Sequence, residues 1–195
     1  MNFIKKNLSN ILFVGFIIFL FTPYGLPVRA VLIRGVSMVT TRVFSLEKDV
    51  DEQVVLDSYQ WNLIDKDGNR VPFESFKNRV VLVNFWATWC PPCVAEMPGL
   101  QDLYDRYGDE VSFLFVTSDK KQRVFDFMKN KDYSFPVYFE ASRSPAPMIS
   151  NSLPTTYVID QNGKVVVEKV GAADWNSPKV HRLLDNLLQL KKVAR

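Results

Sequence analysis

This 195-residue chain holds only two cysteines, and two prolines separate them: Trp89-Cys90-Pro91-Pro92-Cys93. The apolar run Val80-Val81-Leu82-Val83-Asn84-Phe85-Trp86 precedes the pair and reads as a buried strand. From Pro91 onward, Val94, Met97, Leu100, Leu103 and Tyr104 recur at helical spacing. A Cys-x-x-Cys where a strand gives way to a helix is the mark of a redox dithiol. Unpaired N–H groups and the positive end of the dipole at the helix start both favour a thiolate at the first cysteine.

Two other uses of the pair fare worse. A disulfide stabilises a fold more as the loop it closes lengthens, and the Cys90–Cys93 loop is tiny. Structural zinc takes about four Cys or His ligands, and outside the pair only His181 is available. That histidine lies on an expected helix beside Leu183 and Leu184 and reads as structural. No metal or other cofactor is expected.

The first fifty residues differ from the rest. Lys5 and Lys6 precede Ile11 to Phe21, a stretch without a polar side chain, and apolar character resumes from Tyr24 to Val28. A basic start followed by an apolar core marks an export segment. Leu8 to Val28 is close to the roughly 20 residues that span a bilayer as a helix. Pro23, Gly25 and Pro27 interrupt it. With no small-x-small cleavage site in view, residues 1–28 are expected to be an uncleaved signal anchor, with a cleaved signal peptide as the other possibility. Residues 29–53 are expected to be a linker and 54–195 one folded domain, a common size for a single core. The net charge is +3 and basic residues alternate with acidic ones, as in Lys66-Asp67. No aromatic-studded basic stripe supports nucleic-acid binding.

Along the domain, Val54–Ile64 carries strand-like pieces that end at the turn signal Asp65-Lys66-Asp67-Gly68-Asn69. Further strands are expected over Val80–Trp86, Val111–Thr117, Phe135–Phe139, Thr156–Ile159 and Lys164–Val170. The last two form a hairpin about Asn162-Gly163. Helices are expected over Pro91–Tyr107, with Pro98 kinking it, over Lys121–Lys129, and over Ser177–Leu190 with Ser177 as cap and Pro178 first. This β-α-β-α-β-β-α order predicts an α/β fold with a mixed sheet and helices on both faces.

The block Val83–Pro98 (VNFWATWCPPCVAEMP) resembles the active-site block of the TlpA/ResA-like thioredoxin-fold proteins, which are exported and often membrane-tethered thiol–disulfide oxidoreductases. Leu153–Lys164 (LPTTYVIDQNGK) is similar to that family's cis-proline block and the hairpin after it. The resemblance spans roughly 54–190. It implies a thioredoxin-like fold, preceded here by the N-terminal membrane anchor, and a cis peptide between Leu153 and Pro154 beside the cysteines. By itself, Pro154 could equally begin an ordinary strand.

By this resemblance Cys90 is the attacking thiol, expected to be the more exposed, and Cys93 the buried resolving thiol. Glu96 lies three residues beyond Cys93 on the same helical face. Taken alone it could be a solvated carboxylate that suits the first turns of a helix. The family carries a partly buried glutamate there, and Asn84 stands where thioredoxin itself has a buried acid. Glu96 is therefore expected to accept the proton of Cys93, with a pKa raised by burial. Trp89, Pro91, Pro92, Leu153, Pro154 and Thr155 are expected to meet the substrate, while Trp86 reads as core. The expected partners are exported protein thiols and disulfides, apocytochrome c among the candidates, an inner-membrane electron donor and the membrane itself. The domain would face the periplasm or cell exterior. A thiol oxidase or isomerase could use the same residues at a higher potential. A copper chaperone of the Sco type calls for wider cysteine spacing and a nearby histidine.

Overall fold

The computed structural model describes residues 54–193, together with Gly15, Phe19, Thr22 and Val28. The expected anchor and linker otherwise lie outside the described residues. Among those described, no helix is long and apolar enough to cross a membrane.

Seven strands form one sheet: β1 (Asn62–Ile64), β2 (Arg70–Pro72), β3 (Val81–Phe85), β4 (Ser112–Thr117), β5 (Val137–Glu140), β6 (Thr155–Ile159) and β7 (Val165–Val170). Their spatial order is β2-β1-β5-β4-β3-β6-β7. β3, β4 and β5 run parallel, and β6 and β1 join that trio antiparallel on either side. Among residues 54–193, three α-helices complete the fold: α1 (Pro91–Tyr107), α2 (Lys121–Lys131) and α3 (Pro178–Val193).

All five residues of β3 are buried because the strand lies mid-sheet and is covered on both sides. Strand alternation divides its side chains. Leu82 joins Phe113 and Phe115 in a core that α1, α2 and α3 close with Met97, Leu100, Val124, Leu183 and Leu187. Val81, Val83 and Phe85 join Leu114 and Val116 on the other face, under Leu56, Trp61, Phe73 and Met148. The expectation of helices on both faces thus holds in a reduced form. All three α-helices feed one core, and the second face carries only the short 3-10 helices Phe73–Phe76 and Ala146–Met148.

Helix α1 has the bounds read from the sequence and continues through Pro98 as one element. Strand β5 starts later than expected, at Val137 rather than Phe135. Pro136 has no N–H to give a ladder, and the Phe135 ring instead stacks on Phe115 with centroids 4.0 Å apart. The β6–β7 hairpin turns at Gly163, whose φ of 79° places it in the left-handed region. There the Asp160 carboxylate accepts from the backbone N–H groups of Asn162 and Lys164. His181 is structural, as expected: its ring stacks on Tyr107, and its Nε2 lies 2.8 Å from Asn176 Oδ1.

Candidate active site

Strand β3 ends at Phe85, four residues before Trp89, and delivers the cysteines to the start of α1. Cys90 is the N-cap, in extended conformation, and its Sγ accepts a hydrogen bond from the Cys93 backbone N–H at 3.3 Å. Pro91 and Pro92 open the helix, where backbone N–H groups have no intrahelical partner and a missing donor weakens no helical bond. The two cysteines are joined as a disulfide with Cα atoms 5.3 Å apart.

Cys90 is less exposed than expected. It is 4 % exposed against 0 % for Cys93, so the order holds but both residues are buried. Trp89 projects instead, 63 % exposed, which leaves a large apolar side chain beside a nearly enclosed disulfide. The preceding loop is fixed by the Thr88 hydroxyl donating to the Asp119 carboxylate beyond β4. Burial works to raise the Asp119 pKa. The Thr88 hydroxyl, the Lys120 N–H and the Arg123 cation outweigh it and hold the carboxyl below its ordinary range.

The Leu153–Pro154 peptide is cis. It leads directly into β6, where Thr155 lies opposite Phe85 and Thr156 opposite Asn84. The proline therefore sits at the end of the sheet from which the cysteines emerge. Leu153 is half-buried and Pro154 buried. The Thr155 hydroxyl donates to the Ser152 carbonyl and accepts from Ser150, so its side chain serves the loop itself.

Glu96 is 4 % exposed and fully enclosed by donors. Asn84 Nδ2 reaches its Oε1 at 2.9 Å. The Trp175 indole N–H and the Ala173 backbone N–H reach Oε2 at 2.8 and 3.1 Å. Asn84 Nδ2 also donates to Thr156 Oγ1 at 2.8 Å. Burial drives the Glu96 pKa up to about 7, against the opposing pull of Trp175, Asn84, Ala173 and the Lys169 charge. A carboxyl that titrates near neutrality can take or give a proton under ordinary conditions.

Trp175, Ala173 and Thr156 were not singled out in the sequence. Trp175 stands in a short connection before α3, and nothing in its neighbours marks an indole folded back onto α1. The close approach is visible at Gly99, where an added Cβ would lie 3.5 Å from the Asn176 backbone nitrogen. A charge-assisted hydrogen bond contributes about 1.5–3 kcal/mol. Removing the indole N–H with Trp175→Phe should therefore raise the Glu96 pKa by roughly 1–2 units. A carbon-13 titration of the carboxyl measures the shift, and an unchanged midpoint would remove Trp175 from the proton site.

Among the described residues no cluster of His, Cys, Asp and Glu could hold a metal ion. The chemistry of the site is that of two sulfurs beside one titratable carboxyl.

The sequence profile of the Redoxin family matches residues 40–187. This chain belongs to the Redoxin family, among relatives of the ResA kind. It is 35 % identical over 129 residues to the thiol-disulfide oxidoreductase ResA of Bacillus subtilis strain 168, covering 64 % of this chain and 70 % of that protein. It is 34 % identical over 110 residues to the protein of the same name from Bacillus cereus. That match covers 55 % of this chain and 64 % of the relative, slightly under two thirds of its length. A crystal structure of a putative thiol:disulfide interchange protein DsbE from Chlorobium tepidum superimposes with a TM-score of 0.56 at 25 % identity, over 71 % of this chain and 97 % of that one. The family match starts inside the stretch expected to be a linker. The fold is thioredoxin-like, and its Cys-x-x-Cys pair lies at disulfide distance.

Proposed function

We propose that the protein is a membrane-tethered, extracytoplasmic thiol–disulfide oxidoreductase that reduces disulfides of exported proteins, apocytochrome c among the candidates. Residues 1–28 serve as its signal anchor, 29–53 as a linker and 54–195 as the thioredoxin-like domain. The observation that carries the catalytic reading is the buried Glu96, with a pKa near 7, on the helix that carries Cys90 and Cys93. The tether rests on the apolar Ile11–Phe21 run behind Lys5 and Lys6.

The reaction balances as follows. The Cys90 thiolate attacks one sulfur of a substrate disulfide, and the substrate's other sulfur leaves as a thiolate. Cys93 then transfers its proton to the Glu96 carboxylate. The resulting thiolate attacks Cys90 Sγ, the Cys90–substrate bond breaks, and the second substrate sulfur leaves. Two electrons pass to the substrate, its thiolates take protons from solvent, and Glu96 releases the proton it accepted. Trp89, Pro91, Pro92, Leu153 and Pro154 form the proposed substrate platform, and Thr155 contributes its backbone. An inner-membrane electron donor restores the dithiol.

The cysteine pair of a reductant must hold its electrons weakly enough to give them up. Redox titration of Cys90/Cys93 against glutathione or dithiothreitol buffers should give a potential below about −200 mV. A value well above that would assign the same site to thiol oxidation or isomerisation.

A further inference from the structure

Every partner that Glu96 has in the disulfide form is a donor. Trp175 Nε1 and the Ala173 backbone nitrogen can only donate, and both face Oε2. The arrangement suits a carboxylate and offers no acceptor to a carboxylic acid. Only one neighbour can change roles. The amide of Asn84 presents its nitrogen to Oε1 and to Thr156 Oγ1, while its own oxygen is buried without a hydrogen-bond partner.

We propose that the Asn84 side-chain amide turns over as Glu96 gains and loses a proton, presenting nitrogen to the carboxylate and oxygen to the acid. This makes Asn84 a positioning residue, with Thr156 as its follower, and it rests on the acid–base role proposed above for Glu96.

The two states match bond for bond. With Glu96 ionised, Asn84 donates to Glu96 and to Thr156, and Trp175 and Ala173 donate to Oε2. With Glu96 protonated at Oε1, half a turn about χ2 brings Asn84 Oδ1 to the place its nitrogen held. Oδ1 then accepts from the Glu96 O–H and from the Thr156 hydroxyl, which can donate as readily as it accepts. The Trp175 and Ala173 bonds are untouched. Each state has four hydrogen bonds and leaves one end of the same amide unpaired, its oxygen in the first and its nitrogen in the second, so the proton enters and leaves without changing the number of hydrogen bonds or of unpaired amide ends. An aspartate at position 84 would have no donor to offer, and a leucine neither donor nor acceptor. A threonine hydroxyl opposite, buried at β6 and paired in register with Asn84, is one of the few groups that serve both orientations.

The charged and titratable surroundings of the carboxyl are few. Lys169 on β7 acts on it from the sheet, and Cys90 and Cys93 share its helix. The disulfide form removes thiol titration and leaves the Glu96 carboxyl to be followed beside the Lys169 charge.

The experiment is nuclear magnetic resonance on the oxidised, isotope-labelled protein between pH 5 and 9. It follows the Glu96 side-chain carbon and the nuclear Overhauser contacts of the Asn84 amide protons. Above the Glu96 midpoint the amide protons should contact the Thr156 side chain. Below it those contacts should be lost, with the same midpoint. In Glu96→Gln, the glutamine oxygen keeps the Trp175 and Ala173 donors and its nitrogen needs an acceptor, so Asn84 should hold the turned orientation at every pH. Asn84 contacts that stay fixed while Glu96 titrates would overturn the amide rotation and leave the acid–base reading of Glu96 standing. A Glu96 carbon that does not titrate in this range would overturn both.

Discussion

Glu96→Gln should keep the fold and slow disulfide exchange by about 10²-fold at pH 8, within the range of a lost general base. The variant preserves the shape of the side chain and its acceptor for the Trp175 and Ala173 donors, so the change falls on proton transfer. Cys93 is fully buried, with no solvent at hand to take its proton. Its proton must therefore leave as the bond to Cys90 forms, and Glu96 on the same helix is the nearby buried group that titrates near pH 7. The wild-type rate should rise as pH passes about 7, where the carboxyl becomes the proton-accepting form. In the variant that inflection disappears and only thiol ionisation remains. Stopped-flow tryptophan fluorescence can follow the exchange. An identical pH–rate profile in the two proteins would remove Glu96 from the mechanism.

The same carboxyl should shape stability, with a sign opposite to that of most acidic groups. Burial raises the Glu96 pKa from 4.5 to about 7 in the folded state. Between these values the folded protein binds more protons than the unfolded chain, so stability must fall as pH rises. It is highest below about pH 4.5 with respect to this group and reaches its lower plateau above about pH 7. The shift of about 2.5 units corresponds to roughly 3 kcal/mol at 1.36 kcal/mol per unit. Part of this is already gone at pH 5, so urea denaturation of the oxidised protein at pH 5 and pH 8 should show a loss of about 2.5 kcal/mol in the wild type beyond that in Glu96→Gln. The difference between the two proteins isolates Glu96 from every other titrating group. Parallel pH dependence would mean that the folded carboxyl titrates as it does in the unfolded chain.

Local patterns made much of this site legible. Helix α1 was bounded correctly because Pro91 and Pro92 fix its start and the Met97, Leu100, Leu103 stripe fixes its face. β3 could be read from an unbroken apolar run, since a mid-sheet strand has no wet side. The cis bond before Pro154 was legible only through the family block that contains it. What escaped was contact between distant segments. Trp175 lies 79 residues from Glu96 in sequence, and its indole binds the carboxylate only because the connection before α3 folds back over α1. The unpaired Asn84 oxygen could not be foreseen from the residue type, because only the geometry shows which end of the amide meets Glu96.

The proposed order, in which Cys90 attacks and Cys93 resolves, is tested most directly by a trapping experiment. Each single-cysteine variant, reduced, is mixed with a disulfide-bonded exported substrate, and covalent adducts are sought on non-reducing gels and by mass spectrometry. Cys93→Ser should accumulate a mixed disulfide through Cys90, because the thiol that releases the substrate is gone. Cys90→Ser should accumulate none, since Cys93 is the more enclosed of the two and lies inside the first turn of α1, whereas Cys90 caps it. Adducts that form through Cys93 in Cys90→Ser, and fail to form in Cys93→Ser, would contradict the assignment.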